Sequence, residues 1–210
     1  KVCQNYAVEN EPVKPVILYQ ENKEKIYIPR YYAIEKFGLP QKTKIQKPIK
    51  ANLNFSTTLR PHQNHIVDCY LKNKNDEFGG GGIICAGCGV GKTVISLYIA
   101  GHLKVKTLVI VHKEFLMNQW IDRINEFLPN AKVGIIQGDK ADIEGKDIVI
   151  GMLQSVSMHT YPNYVFDDFG LAIYDECHHL GARVFSKALR KTNFKYTLGL
   201  SATPTRKDGL

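Results

Sequence analysis

The stretch Ile83-Ile84-Cys85-Ala86-Gly87-Cys88-Gly89-Val90-Gly91-Lys92-Thr93 leaves few folds open. Three apolar residues read as a short strand. From Gly91 to Leu103 the spacing reads as a helix. The glycines between them let backbone N–H groups converge on an anion without side-chain clashes, and the helix adds its positive end. The same letters also hold a Cys-x-x-Cys, Cys85 to Cys88, the spacing of a redox pair or half a zinc site. The five cysteines (Cys3, Cys69, Cys85, Cys88, Cys177) supply no second pair to complete a zinc site. The loop reading makes Cys85 the end of a buried strand and Cys88 a variable loop position.

The rest of the chain repeats the alternation. Residues 61–73 read as a helix, with Thr58 as its cap and Pro61 in the first turn. A strand at 107–111 is apolar on both faces. A helix at 114–128 carries Phe115, Leu116, Ile121, Ile124 and Leu128 at helical spacing. Further strands are expected at 132–136, 148–150, 171–174 and 196–200. Near-continuous apolar strands separated by helices predict an α/β domain whose mainly parallel sheet is covered on both faces. In such sheets ligands sit beyond the carboxyl ends of the strands.

Residues 1–50 differ and are expected to be an accessory segment with a basic linker. Residues 16–19 and 26–28 read as a hairpin across a polar turn at 21–24, and 31–37 as a short helix stopped by Gly38 and Pro40. Five lysines (Lys36, Lys42, Lys44, Lys47, Lys50) then follow without an acid, as a solvated linker or a nucleic-acid contact. Gly79 to Gly82 is too short a run to matter compositionally.

Lys plus Arg is 28 against 20 Asp plus Glu, a net charge of +8 that favours anionic partners. No secretory signal opens the chain, and no apolar run reaches the ~18 residues of a membrane helix. An intracellular, reduced protein with no membrane partner is expected. The first residue is not Met, so a piece of a longer protein is expected.

Two carboxylates, Asp175 and Glu176, follow the apolar strand 171–174. Such a sheet puts them beside the loop. Lys92 would reach the outer phosphates of a nucleotide, and Thr93 and Asp175 would hold Mg²⁺. Glu176 would orient or deprotonate the attacking water. Ser201-Ala202-Thr203 follows another strand, where small hydroxyls can bond to the acidic segment and report the phosphate state.

In this order, Ala86-x-x-Gly89-x-Gly91-Lys92-Thr93, Asp175-Glu176-Cys177-His178 and Ser201-Ala202-Thr203 resemble the first motor domain of superfamily 2 helicases and translocases. The tail from Ser201 to Gly209 resembles the XPB-like branch, which includes helicases of phages and large DNA viruses. The resemblance covers about residues 53–210. It implies a RecA-like P-loop NTPase domain over 51–210, ATP and Mg²⁺ as cofactors, and a DNA or RNA track. It makes Gln63 the adenine contact with Arg60 beside it, and Gly87, Cys88, Gly89, Val90, Gly91, Lys92 and Thr93 the nucleotide cradle. His178, Ser201 and Thr203 would couple hydrolysis to motion. Lys113, Gln154 and Ser155 would touch the nucleic-acid backbone, and Trp120 is expected in the core.

The resemblance also implies a second RecA-like domain in the full-length protein, and transcription or repair machinery as partners. Residues 1–50 are then either a reduced DNA-sensing piece or a packing extension. A chain ending at Leu210 is expected to be at most a nucleotide-binding half. An RNA helicase, a restriction-type translocase and a nucleotide-gated scaffold are the alternatives. The intact Lys92, Thr93, Asp175 and Glu176 speak against the scaffold.

Overall fold

The computed structural model describes residues 19–178 and 183–203. Among them, residues 19–44 belong to one compact unit and 45–203 to a second.

In the first unit, β1 (Gln20–Glu21) pairs antiparallel with β2 (Ile26–Tyr27). Pairing begins inside the polar stretch expected to be the turn. The cause is Asn22, whose Oδ1 accepts the Glu24 and Lys25 N–H groups at 2.9 and 2.8 Å and so tightens the reversal. Tyr19 lies outside the pairing, and 16–18 lie outside the described residues. Helix α1 (Arg30–Phe37) ends where the Gly38 N–H reaches the Ile34 carbonyl at 2.9 Å.

The second unit is built from α2 (Pro61–Lys72), β3 (Gly80–Cys85), α3 (Lys92–Leu103), β4 (Thr107–Val111), α4 (Glu114–Phe127), β5 (Val133–Gln137), β6 (Lys140–Ala141), β7 (Ile148–Met152), α5 (Leu153–Met158), β8 (Leu171–Tyr174), α6 (Arg183–Lys191) and β9 (Tyr196–Ser201). Seven strands form one sheet in the order β3-β9-β8-β4-β7-β5-β6. All neighbours are parallel except β6, which returns antiparallel on β5.

Each central strand divides its side chains between two cores. Val109, Val111, Ile148, Ile150, Leu171 and Ile173 face the core built with α2, α3 and α4. Leu108, Ile110, Val149, Ala172 and Tyr174 face the other, which includes Leu153 and Val156 of α5 and Ala188 of α6. With both faces covered, these strands must be apolar at every position, and each fully buried aliphatic contributes roughly 1.5–3 kcal/mol.

Several expectations shift. The N-cap of α2 is Arg60 rather than Thr58, because Gln63 reaches back and accepts the Arg60 N–H through Oε1 at 2.9 Å. Gly80 to Gly82 of the glycine run belong to β3, which pairs with β9 from Gly80↔Tyr196 to Cys85↔Ser201. Gly79 has φ 81° and would drive any side chain into the Lys195 carbonyl. Cys85 is exposed rather than buried, because β3 is the sheet's edge. Phe115 is 54% exposed, since the buried stripe of α4 runs through Met117, Trp120 and Ile124. The basic stretch is not free to its end. Lys50 bridges Val105, the Ala51 N–H reaches the Lys104 carbonyl at 3.0 Å, and Leu53 is fully buried.

Candidate functional site

Because six strands run parallel, their carboxyl ends share one edge of the sheet. That edge carries the loop 86–91 after β3, the turn 175–178 after β8, Ser201 to Thr203 at β9, Lys113 after β4 and Gln154 after β7. β3, β9 and β8 are consecutive, so the first three segments converge.

The loop is an open cradle. Gly89 and Gly91 take φ 86° and 90°, conformations that favour glycine. A methyl at Gly87 or Gly89 would meet nothing within 4 Å, so those positions face open space. A methyl at Gly91 would lie 2.5 Å from Gln63 Nε2. Gln63 is buried and donates from Nε2 to the Val90 carbonyl at 3.0 Å, tying α2 to the loop. The Lys92 ammonium folds back over the loop, donating to the Ala86 carbonyl at 2.7 Å. Ala86 continues the β3–β9 ladder through its N–H to the Ser201 carbonyl at 3.1 Å, so Ala at the motif's first position costs nothing. Arg60, Cys88 and His62 are exposed.

The acidic turn is closely held. Asp175 is 9% exposed, and each carboxylate oxygen has a donor. Trp120 Nε1 donates to Oδ2 at 2.9 Å, and the Glu176 N–H donates to Oδ1 at 3.0 Å. Burial pushes the Asp175 pKa up, the Trp120 hydrogen bond opposes it, and the Glu176 charge adds to the rise. Glu176 has φ 51°, a left-handed conformation rare outside glycine and typical of strained functional turns. His178 Nδ1 lies 3.2 Å from Glu176 Oε2 and 3.2 Å from Ser201 Oγ. Ser201 Oγ also donates to the Thr203 carbonyl at 2.6 Å. Acidic turn and β9 segment are therefore one hydrogen-bonded chain. Cys177 packs against Gly199, where an added methyl would lie 3.0 Å from its sulfur, and burial raises its thiol pKa to about 11.

Thr93 and Asp175 line one cavity of about 380 Å³ with Gln119, Trp120, Asp122 and Arg123. A hydroxyl and a carboxylate facing shared space suit a hard cation completed by phosphate and water. Among the described residues no group of three or more His, Cys, Asp or Glu could hold a metal by itself.

On the β4 and β7 side, Lys113 is exposed at the N-cap of α4, its Nζ 5.8 Å from the centre of the Phe115 ring. Gln154 is exposed, with Nε2 3.5 Å from the His112 carbonyl. Ser155 is buried, and its Oγ accepts the Gly138 N–H at 2.8 Å. Burial and the neighbouring Lys113 press the His112 pKa down.

The sequence reading placed Trp120 in the core, and it is 2% exposed. It missed the bond to Asp175. The available signal was polarity: an indole buried on an amphipathic helix needs an acceptor for its N–H.

A family model described as "Type III restriction enzyme, res subunit" matches residues 56–206. The chain is 42% identical over 209 residues to a protein of Acanthamoeba polyphaga mimivirus provisionally named an ATP-dependent RNA helicase. That match covers 98% of this chain and 40% of the relative. It is 32% identical over 185 residues to the DNA 3'-5' translocase XPB2 of Sulfurisphaera tokodaii, covering 86% of this chain and 40% of that protein. The chain thus spans about 40% of these relatives' length. Among solved structures, the Sulfolobus solfataricus SWI2/SNF2 ATPase core in complex with dsDNA superposes with a TM-score of 0.60. Identity there is 23%, over 80% of this chain and 36% of that one, which establishes a shared fold. No helix among the described residues is long and apolar enough to cross a membrane. The three motif-bearing strand ends meet on one parallel sheet, and the family model spans most of the chain. The protein belongs to the res-subunit family of superfamily 2 helicase and translocase motors, of which it carries the RecA-like domain with the phosphate loop.

Proposed function

We propose that this chain, residues 51–210 above all, is the ATP-binding half of a DNA helicase or translocase of the XPB-like branch. The reading rests on one observation. The loop holding Lys92 and Thr93, the turn holding Asp175 and Glu176, and the Ser201 segment follow three consecutive strands of one sheet, the last two linked by the His178–Ser201 contact of 3.2 Å.

In this reading Gly87, Cys88, Gly89, Val90 and Gly91 turn backbone N–H groups toward the phosphates, and the Lys92 ammonium leaves the Ala86 and Gly87 carbonyls to pair with them. Thr93 and Asp175 hold Mg²⁺, which when bound neutralises charge on the transferring phosphoryl group. Glu176 accepts a proton from the attacking water, and His178 keeps that carboxylate oriented. Arg60 meets the base side of the nucleotide, and Gln63 joins it there by exchanging its bond to the Val90 carbonyl for one to the base. His178, Ser201 and Thr203 carry the state of the site along β9. Lys113 and Gln154 contact nucleic-acid phosphates, and the bonding of Ser155 to Gly138 suits it to fixing the rim.

Hydrolysis requires a second RecA-like domain whose arginines stabilise the transferring phosphoryl, a contribution of roughly 10³-fold or more. The motor works inside the cell, on nucleic acid, alongside transcription or repair machinery. An RNA track is the second reading, favoured by the name of the mimivirus relative.

Nucleic-acid-stimulated ATPase of the full-length protein tests this. Glu176→Gln lowers turnover by at least about 100-fold, and near-normal activity after the change would remove the catalytic assignment. DNA and RNA duplexes offered in parallel decide the track.

A further inference from the structure

We infer that Trp120 is a positioning residue for Asp175. It would fix the carboxylate so that the magnesium-holding lone pairs face the cavity shared with Thr93. The inference rests on the nucleotide-site reading above and deepens it.

Trp120 is the only tryptophan in the chain, and it lies 2% exposed in the buried stripe of α4 between Met117 and Ile124. Shape alone would accept another large apolar side chain in such a stripe. Tryptophan adds one donor, and here Nε1 meets Asp175 Oδ2 at 2.9 Å across 55 residues of sequence. The other oxygen is held by the Glu176 N–H at 3.0 Å.

These two donors arise from different elements, α4 and the turn after β8, so the carboxylate plane is fixed at two points. A buried carboxylate held at one oxygen turns about its Cβ–Cγ bond. Held at both, it keeps one orientation, and the lone pairs that remain are those toward the cavity of about 380 Å³ that Thr93, Trp120 and Asp175 line. Supporting donors of this kind set how well a ligating group meets its metal, and losing one typically costs 10–100-fold in affinity or activity.

The test replaces Trp120 with its benzothienyl isostere, β-(3-benzothienyl)alanine, which keeps the ring volume and lacks the N–H. The readout is a magnesium titration of non-hydrolysable ATP-analogue binding to this chain, with thermal melting in parallel. The expected result is half-saturating Mg²⁺ raised about tenfold or more, with metal-free nucleotide affinity unchanged and the melting midpoint lowered only by the loss of one buried hydrogen bond. In an Asp175→Asn background the same replacement should have no further effect, which a merely structural role would not produce. An unchanged magnesium dependence overturns the inference and leaves the nucleotide site standing. An equal loss in the Asp175→Asn background overturns it in favour of a packing role. A wild-type chain whose nucleotide binding ignores magnesium removes the underlying reading and the inference with it.

Discussion

The phosphate loop and the acidic turn sit two strand positions apart on one sheet, yet they are held in different ways. The loop is mostly backbone. Gly87 and Gly89 face open space, its lysine rests on the loop's own carbonyls, and one buried glutamine packs on Gly91 and anchors it from behind. The turn is mostly side chain. Both oxygens of Asp175 are bonded, Cys177 is packed on Gly199, and His178 joins Glu176 to Ser201. The loop has the form of a receptor and the turn that of a fixed tool. Groups that must act on a reacting centre gain from being oriented beforehand, whereas a phosphate cradle needs room.

The largest effect that would break this contrast is catalytic. In the full-length protein, Lys92→Ala should weaken ATP binding by about 100-fold, since the ammonium held over the loop is lost. Glu176→Gln should leave ATP affinity within about threefold and lower kcat by roughly 10²–10⁴-fold. Binding titrations and single-turnover kinetics separate the two. If both variants showed the same binding defect, loop and turn would not divide the work as described.

Within the loop, the glycines should differ among themselves. Gly91→Ala carries a side chain at φ 90° and places its methyl 2.5 Å from Gln63 Nε2. A loss of about 1–3 kcal/mol in denaturant unfolding is expected. Gly87→Ala meets nothing within 4 Å. Its unfolding free energy should stay within about 0.5 kcal/mol, while nucleotide affinity falls because the methyl enters the cradle.

Thiol chemistry reads the same contrast. Cys88 in the loop and Cys85 at its base are exposed, and Cys177 in the turn is buried with its pKa raised from 9.0 to about 11. Alkylation near pH 8 should modify Cys85 and Cys88 and spare Cys177. The raised folded-state value means the fold favours the neutral thiol. This contribution is intact below pH 9 and is lost as pH rises from 9 toward 11. Mass-spectrometric mapping of labelled sites checks the order.

The smallest effect belongs to Phe115. A residue 54% exposed and outside the stripe of α4 should tolerate Phe115→Ala with less than about 0.5 kcal/mol of change in stability. A large loss on thermal melting would mean that the rim beside Lys113 is packed.

Much of this was legible in the chain because both-face burial forces continuous apolar runs. The strands 107–111 and 171–174 were readable to the residue for that reason. The edge strand was not. β3 draws half its length from glycines, whose meaning lies in the close approach of Lys74 to Gly80 and Tyr70 to Gly82 and not in their own chemistry. The extent of the parallel sheet was expected. The antiparallel β6 and the short α5 and α6 were not, since two- to nine-residue elements carry little periodicity.

In the candidate site, the residue types announced themselves where the motif is local, as in residues 86–93 and 175–178. What stayed hidden is the wiring between distant positions. Gln63 to Val90, Trp120 to Asp175 and His178 to Ser201 join residues 27, 55 and 23 apart. No spacing rule links them, because the sheet order β3-β9-β8-β4 brings them together.

The central claim is that three strand ends form one magnesium–nucleotide site. A crystal structure with magnesium and a non-hydrolysable ATP analogue tests it most directly. The phosphates should lie against residues 87–93, with the metal between Thr93 and Asp175. A nucleotide bound away from that edge, or a metal that leaves Asp175 bonded only to Trp120 and Glu176, would contradict it.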